Sequence, residues 1–195
     1  MSEPGGPTGS GAMRVAGAAG EGDGAVLIPM KVARLTVDPC NGLPLVLLEG
    51  LEGGHLLPIW VGLAEASAIA VPLEGVQFAR PMTHDLMYSL LSACGAEVVH
   101  IVVTEVRDQT FYARIILQQG EQRSEVDARP SDALALALRT GCAIFVNERV
   151  LSATARPTVT AAHASADPAL ASEDPPRAAD WLESLPDEEF GKWKM

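Results

Sequence analysis

The sequence predicts an α+β fold: a mixed, mainly antiparallel sheet with packed helices in a single compact domain. Two local observations carry this. Strand-like segments outnumber helix-like ones, and several neighbouring strands are joined by turns too short for a crossover, which favours antiparallel pairing over a doubly wound parallel sheet. The third observation is bulk composition. The chain has 195 residues, 48% of them apolar and 20% charged, enough to bury one core and too apolar for a disordered polyelectrolyte.

The apolar periodicity is dense between residues 30 and 151, and the elements follow in order. Segments 30–37 (MKVARLTV), 43–50 (LPLVLLEG) and 55–62 (HLLPIWVG) read as three strands, the last two separated by the Gly-rich turn EGGH. Residues 63–75 have helical spacing, with Ala66, Ile69, Ala70 and Leu73 on one face; Pro72 should kink or end that helix near Val71. Residues 83–95 form a second helix, with Thr83 as N-cap, Leu86, Leu90 and Leu91 as its apolar stripe and Gly95 at C′. Segments 96–109 and 110–120 flank a turn around Asp108 and read as a hairpin, extended through the Gly120 turn to a strand at 122–128. A helix over 129–141 starts at Pro130, closes at Gly141 and is apolar nearly all round. A strand and short turn over 142–151 complete the domain.

The flanks are different in kind. Residues 1–29 are rich in Gly and Ala and read as a flexible leader; residues 152–178, rich in Ala, Pro, Ser and Thr, read as a disordered linker. Residues 179–195 are a short acidic amphipathic tail carrying Trp181, Leu182, Leu185, Phe190 and Trp193. The start has an early Glu3 and no apolar run of signal-peptide length, and no stretch is long enough for a transmembrane helix, so a cytoplasmic protein without a membrane partner is expected.

The formal net charge is −11, which argues against loose, charge-driven binding to nucleic acid or anionic membranes. The excess is spread along the chain: residues 30–151 carry nine basic and 14 acidic residues, a net of −5. The three cysteines, Cys40, Cys94 and Cys142, are far apart and odd in number, so neither a disulfide framework nor a zinc knuckle is expected. Cys94 and Cys142 sit in apolar runs and read as small buried hydrophobes.

Two polar clusters stand out. Thr83-His84-Asp85 opens one helix, and Asp127-Ala128-Arg129-Pro130-Ser131-Asp132 joins a strand to another. Both lie at helix N-termini, where free N–H groups and the positive end of the dipole favour anions, phosphate above all. Either cluster can equally be ordinary helix-start chemistry. Thr83 and Asp85 suit a cap and first turn, and Arg129 can pair with Asp127 or Asp132. Glu65 and Glu74, nine residues apart around Pro72, should face different ways. His100, inside VVHIVV, reads as a core histidine, and His55 as a solvated one; His163 lies in the linker. Arg114 suits a cross-strand pair with a Glu, or with Tyr112 a basic, aromatic surface. No GxGxxG, GxxxxGK[ST], HExxH or GxSxG string occurs.

The segments LPIWVGLAEASAIA (57–70), LEGVQFARPMTHDLMYSLLSACGAEV (73–98), TFYARIIL (110–117) and EVDARPSDALALALRTGCAIFV (125–146) resemble the bifunctional nuclease domain family, in order and over nearly all of 30–151. RPMTHDL and DARPSDALALA are the specific parts, and the end SLPDEEFGKW is similar to a short acidic segment common in the family. Pro72 stands where the family usually has a helix-compatible residue. The resemblance implies a small α+β domain, a homo-oligomer, and nuclease activity on DNA and RNA.

Polar density and resemblance together give the first functional expectation, a metal-assisted phosphodiester hydrolase acting on nucleic acid. Asp85, Asp127 and Asp132 would hold one or two Mg²⁺ or Mn²⁺ ions, His84 would act as general base or position water, and Arg129 would clamp the phosphate. The second is a non-enzymatic regulatory or protein-interaction module, with the clusters bracing helix starts and the acidic tail docking a protein partner or its own domain. A third is a phosphometabolite-binding domain using the same helix ends.

Overall fold

A computed structural model describes residues 25–154. The leader up to residue 24, the linker from residue 155 and the tail with Trp181, Phe190 and Trp193 lie outside the described residues, while residues 152–154, read as the start of the linker, belong to the last helix. The elements are β1 (Leu27–Val37), β2 (Pro44–Gly50), β3 (Leu56–Trp60), α1 (Leu63–Leu73), α2 (Thr83–Ala93), β4 (Ala96–Arg107), β5 (Thr110–Gln119), β6 (Gln122–Ala128), α3 (Pro130–Thr140), β7 (Ala143–Asn147) and α4 (Glu148–Thr154). They form the expected α+β domain.

The sheet has seven strands in the order β3-β2-β1-β7-β4-β5-β6. Two meanders, β1–β3 and β4–β6, each follow chain order because tight turns join their strands. The β4–β5 turn places Asp108 and Gln109 at φ 47° and 61°, the left-handed pair that a two-residue hairpin turn of matching twist requires. After β6 the chain crosses back through α3, and β7 enters between the meanders, antiparallel to β1 and parallel to β4. That is the sheet's one parallel pairing among the described residues. β1 begins at Leu27, earlier than residue 30, because Leu27–Met30 is the segment that pairs with β7. Pro29 argues locally against a strand there; it sits where β1 passes from one partner strand to the other.

One sheet face carries the main core: Val46, Leu48, Leu57, Ile101, Val103, Ala113, Ile115, Ile144 and Val146, all buried. α3 packs on this face between α1 and α2. Its Ala133, Ala135 and Ala137 let neighbouring backbones approach closely, and Leu134 and Leu136 fill what remains, so the helix is buried nearly all round as its sequence predicts. The other face has a small cluster of Leu27, Val102 and Phe145. His100 is buried with it, edge-on to Phe145 at 5.4 Å, and burial lowers its pKa.

Two helices depart from expectation. α1 continues past Val71 to Leu73 with Pro72 inside it. Pro72 cannot donate to the carbonyl of Ala68, four residues back. That carbonyl instead accepts Arg139 Nη1 at 2.8 Å. α2 starts with Met82 at the N-cap position, not Thr83, and the Asp85 carboxylate reaches back to Met82 N–H at 2.9 Å. No residue of α2 is fully buried. Met87 and Leu91 pack against the core, whereas Leu86 and Leu90 of the expected stripe are 50% and 57% exposed. Cys94, at the helix's C-terminal end, is exposed, and Cys142 only half-buried. Among the described residues, no helix is long and apolar enough to cross a membrane.

Arg139, on α3, has a side chain only 6% exposed. It donates to Asp85 Oδ1 on α2 at 2.5 Å, to Ala68 O on α1 and to Ala135 O in its own helix at 2.8 Å. One buried cation therefore joins three helices. Removing it takes the counter-charge from the Asp85 carboxylate and leaves the Ala68 carbonyl without its donor. Arg139→Met should lower unfolding stability by about 2–3 kcal/mol, less than the cost of breaking a fully buried pair because the Asp85 side chain is 35% exposed. Urea titration followed by circular dichroism measures this, and a loss under about 1 kcal/mol would remove Arg139 from its structural role.

Candidate active site

The starts of α2 and α3 lie side by side. α3 begins with Arg129 at the N-cap position and Pro130 in its first turn, so Asp132 projects from that same turn. Arg129 folds onto Asp132 as a two-pronged pair, Nε to Oδ2 at 2.7 Å and Nη2 to Oδ1 at 3.1 Å. Its Nη1 donates to Glu65 Oε1, in the first turn of α1, at 2.7 Å. His84 Nε2, from the first turn of α2, lies 3.3 Å from the same Asp132 Oδ1. Three elements distant in sequence thus supply one cluster of Glu65, His84, Arg129 and Asp132.

The protonation states follow from the contacts. Burial alone would raise the Asp132 pKa; the hydrogen bonds and charge of Arg129, with smaller contributions from His84, outweigh it and hold the carboxyl below its ordinary value. Asp132, and then Glu65, push the Arg129 guanidinium above its already high range. An ionised carboxylate only accepts, so the His84–Asp132 contact requires a proton on Nε2, and in the neutral ring Nδ1 then carries the lone pair. Nδ1 has no partner among the described residues, and no unpartnered side-chain polar atom there is fully buried, so Nδ1 reaches solvent. The His84 side chain is 12% exposed and that of Arg129 64% exposed. The arrangement is a base oriented by a carboxylate, next to an exposed guanidinium.

Of the five expected residues, His84, Arg129 and Asp132 come together and two stand apart. Asp85 turns to Arg139, whose hydrogen bond lowers its pKa against the effect of burial, with Met82 N–H adding to the lowering. Asp127 is exposed on β6, opposite Arg114 in the strand register, without a hydrogen bond or ion pair to any described residue. Arg114 itself donates to Glu125 at 2.6 Å. The expected Mg²⁺ or Mn²⁺ ligand set Asp85, Asp127 and Asp132 is therefore not assembled. Among the described residues, no three His, Cys, Asp or Glu side chains are placed to hold a metal ion. The residues present do not fit a resident divalent cation, because arginines occupy two of the three carboxylates. A cleft of about 380 Å³ lined by Arg114, Asn147 and Arg149 opens elsewhere and shares no residue with the cluster.

Two participants escape a reading of the sequence. Glu65 looks remote from DARPSD and faces Arg129 only because α1 and α3 pack together. Arg139 carries a visible signal: a lone arginine in an otherwise apolar helix must find partners when that helix is buried.

A small α+β domain with an arginine–histidine–carboxylate cluster at paired helix starts is the class of protein these features define. The family model of the bifunctional nuclease domain matches residues 46–158. An uncharacterized protein of Mycobacterium tuberculosis is 33% identical over 161 residues, covering 83% of this chain and 96% of that protein. Bifunctional nuclease 1 of Arabidopsis thaliana is 31% identical over 109 residues, covering 54% of this chain and 34% of that protein. Bifunctional nuclease 1 of Oryza sativa subsp. japonica is 27% identical over 109 residues, covering 54% of this chain and 33% of that protein. The chain belongs to the bifunctional nuclease domain family.

The carboxylate pairs make stability acid-sensitive. Asp85 and Asp132 have folded pKa values below their ordinary one. Their contribution is complete above about pH 4 and is lost as pH falls through the folded values. Urea midpoints between about pH 6 and pH 2 should therefore fall steeply for the native chain. Asp85→Asn should begin lower and fall less. An unchanged slope in both Asp85→Asn and Asp132→Asn would show that neither pair is linked to folding.

Proposed function

We propose that the protein is a cytoplasmic nuclease that breaks phosphodiester bonds in nucleic acid at the His84–Arg129–Asp132 cluster. The observation that carries this reading is Asp132 Oδ1, shared by His84 Nε2 and Arg129 Nη2. It ties the histidine ring and the guanidinium to one carboxylate, so a base and a phosphate clamp stand beside each other. Family membership supports the reaction class. His84 Nδ1 accepts a proton, and Asp132 fixes the ring and its tautomer. Arg129 commits three N–H groups to Asp132 and Glu65, leaving two of its five for phosphate oxygens. Glu65 holds the guanidinium in place. Asp85 acts through position: its bonds to Arg139 and Met82 N–H fix the helix turn that carries His84.

A second role, in association, is favoured by α2. Met82, Leu86 and Leu90 recur at helical spacing, all about half exposed, with Phe78 exposed just before them. Between Gly75 and Gly95 the only acidic residue is Asp85, which faces Arg139. A chain of net charge −11 meets a second copy of itself most easily across a face without exposed acids, so we place a homodimer contact on this ridge.

His84→Gln and Arg129→Ala should each lower cleavage of labelled oligonucleotides by about 100-fold or more, the scale of losing a general base or a charge clamp. Asp127→Asn should change it less than about threefold. Full activity in His84→Gln would end the assignment of this cluster. For the ridge, Leu86→Glu combined with Leu90→Glu should convert a dimer to a monomer in light scattering while leaving the circular dichroism spectrum unchanged. A native chain that is already monomeric refutes the contact.

A further inference from the structure

We infer that the acidic, aromatic segment 179–195 of this chain docks on its own domain, in the cleft that α4 forms with β4 and β5. The inference is independent of the nuclease reading, since the cleft shares no residue with the His84–Arg129–Asp132 cluster. Its starting point is an unmatched cation. Arg149, in the first turn of α4, is exposed, and its guanidinium has no partner among the described residues. Arg114 reaches the same cleft from β5, where it also donates to Glu125. Glu105, the carboxylate in the lining, is taken by Arg107 at 2.6 Å. The cleft therefore offers a free guanidinium and no free carboxylate of its own.

Its size and lining match a peptide with both apolar and acidic side chains. Val106 and Val150 give it an apolar part, and at about 380 Å³ it lies at the small end of ligand pockets. That suits one large side chain and its polar neighbours better than a folded partner. Segment 179–195 (ADWLESLPDEEFGKWKM) carries five carboxylates against two lysines. Leu182, Leu185 and Phe190 stand directly among Glu183, Asp187, Glu188 and Glu189. A leucine or phenylalanine seated on the two valines brings a carboxylate to Arg149.

Position favours this occupant over any other. Ala153 lines the cleft and α4 ends at Thr154, so the chain leaves the domain beside the cleft itself. Residues 155–178 are all that separates this exit from the segment, 24 residues in number. A random chain of that length spans about 25–30 Å on average, ample for a return to the same place. An exposed ion pair contributes little, so a free peptide of this sequence would bind weakly. The tether raises the local concentration to the order of mM, at which a weak contact becomes populated. Neither a second copy's segment nor an outside anion has that advantage.

The test couples carboxylates to lysines at zero length with a carbodiimide, in the full chain. Arg149→Lys keeps the charge and adds a reporter; Ala153→Lys, one turn on, is a second. Both positions are exposed, and circular dichroism checks that each variant folds. Lys31, 3.5 Å from Glu49, verifies the coupling and reports random encounters with the segment. Links are counted by mass spectrometry of the digested chain. The expected result is links from the introduced lysine to Glu183, Asp187, Glu188 or Glu189 about tenfold or more above those from Lys31, the gain of a docked segment over random encounter. Isotopically heavy and light chains, mixed and equilibrated, should give these links within one chain. Equal yields from Lys31 and from both introduced lysines, or no link from either introduced lysine, overturns the inference. Links between heavy and light chains place a second copy's segment in the cleft and overturn it as well.

Discussion

The architecture depends on one buried cation. Arg139 sits where three helices meet and gives each what its own sequence leaves unsatisfied: a donor for the carbonyl that Pro72 orphans in α1, a counter-charge for Asp85 in α2, and a bond to its own helix. Such an arrangement is seldom the most stabilising choice, since an apolar residue of similar volume can fill the same space. Its value is directional. Apolar contacts tolerate sliding and rotation, whereas a guanidinium with fixed donor directions sets both the spacing and the rotation of its neighbours. That matters for α2, which buries no residue completely and is held by Met87, Leu91 and this ion pair.

The cluster inherits its geometry from that constraint. Glu65, His84 and Asp132 occupy the first turns of three different helices, so a small rotation of any one would separate the His84 ring from the Arg129 guanidinium. The charge balance also becomes intelligible. The chain is acidic, yet its exposed Arg129 is held by two carboxylates that keep it charged and oriented. In the proposed function, recognition of a polyanion at such a point is local, driven by positioned N–H groups more than by a broad positive field.

Much of the fold was legible because local signals agreed with one another. Glycines at Gly95, Gly120 and Gly141 adopt the left-handed conformations their positions call for, and the Asp108 turn closes a hairpin as its neighbours predict. The parallel insertion of β7 was not legible. Pairing between segments remote in sequence leaves no periodic trace, and a short apolar strand reads alike in either direction. The cluster was half legible. His84, Arg129 and Asp132 lie in short polar strings that announce helix starts, while Glu65 depends on helix packing. Asp85 and Asp127 looked equivalent to Asp132 as carboxylates. What separates them is which side of an element each occupies and whether an arginine faces it. The solvent-facing Leu86 and Leu90 misled for a related reason: an apolar stripe marks a face that avoids water, without saying whether the same domain covers it.

The late entry of β7 has a consequence for how the chain matures on the ribosome. β1–β3 and β4–β6 can each zip up as they emerge, but the two halves stay separate sheets, with β1 and β4 presenting unsatisfied edges, until the last strand is synthesised and slides between them. Closure thus waits on residues near the end of the domain. A nascent chain halted before Ala143 would expose two open edges at once, so the danger of wrong pairing is greatest just before completion.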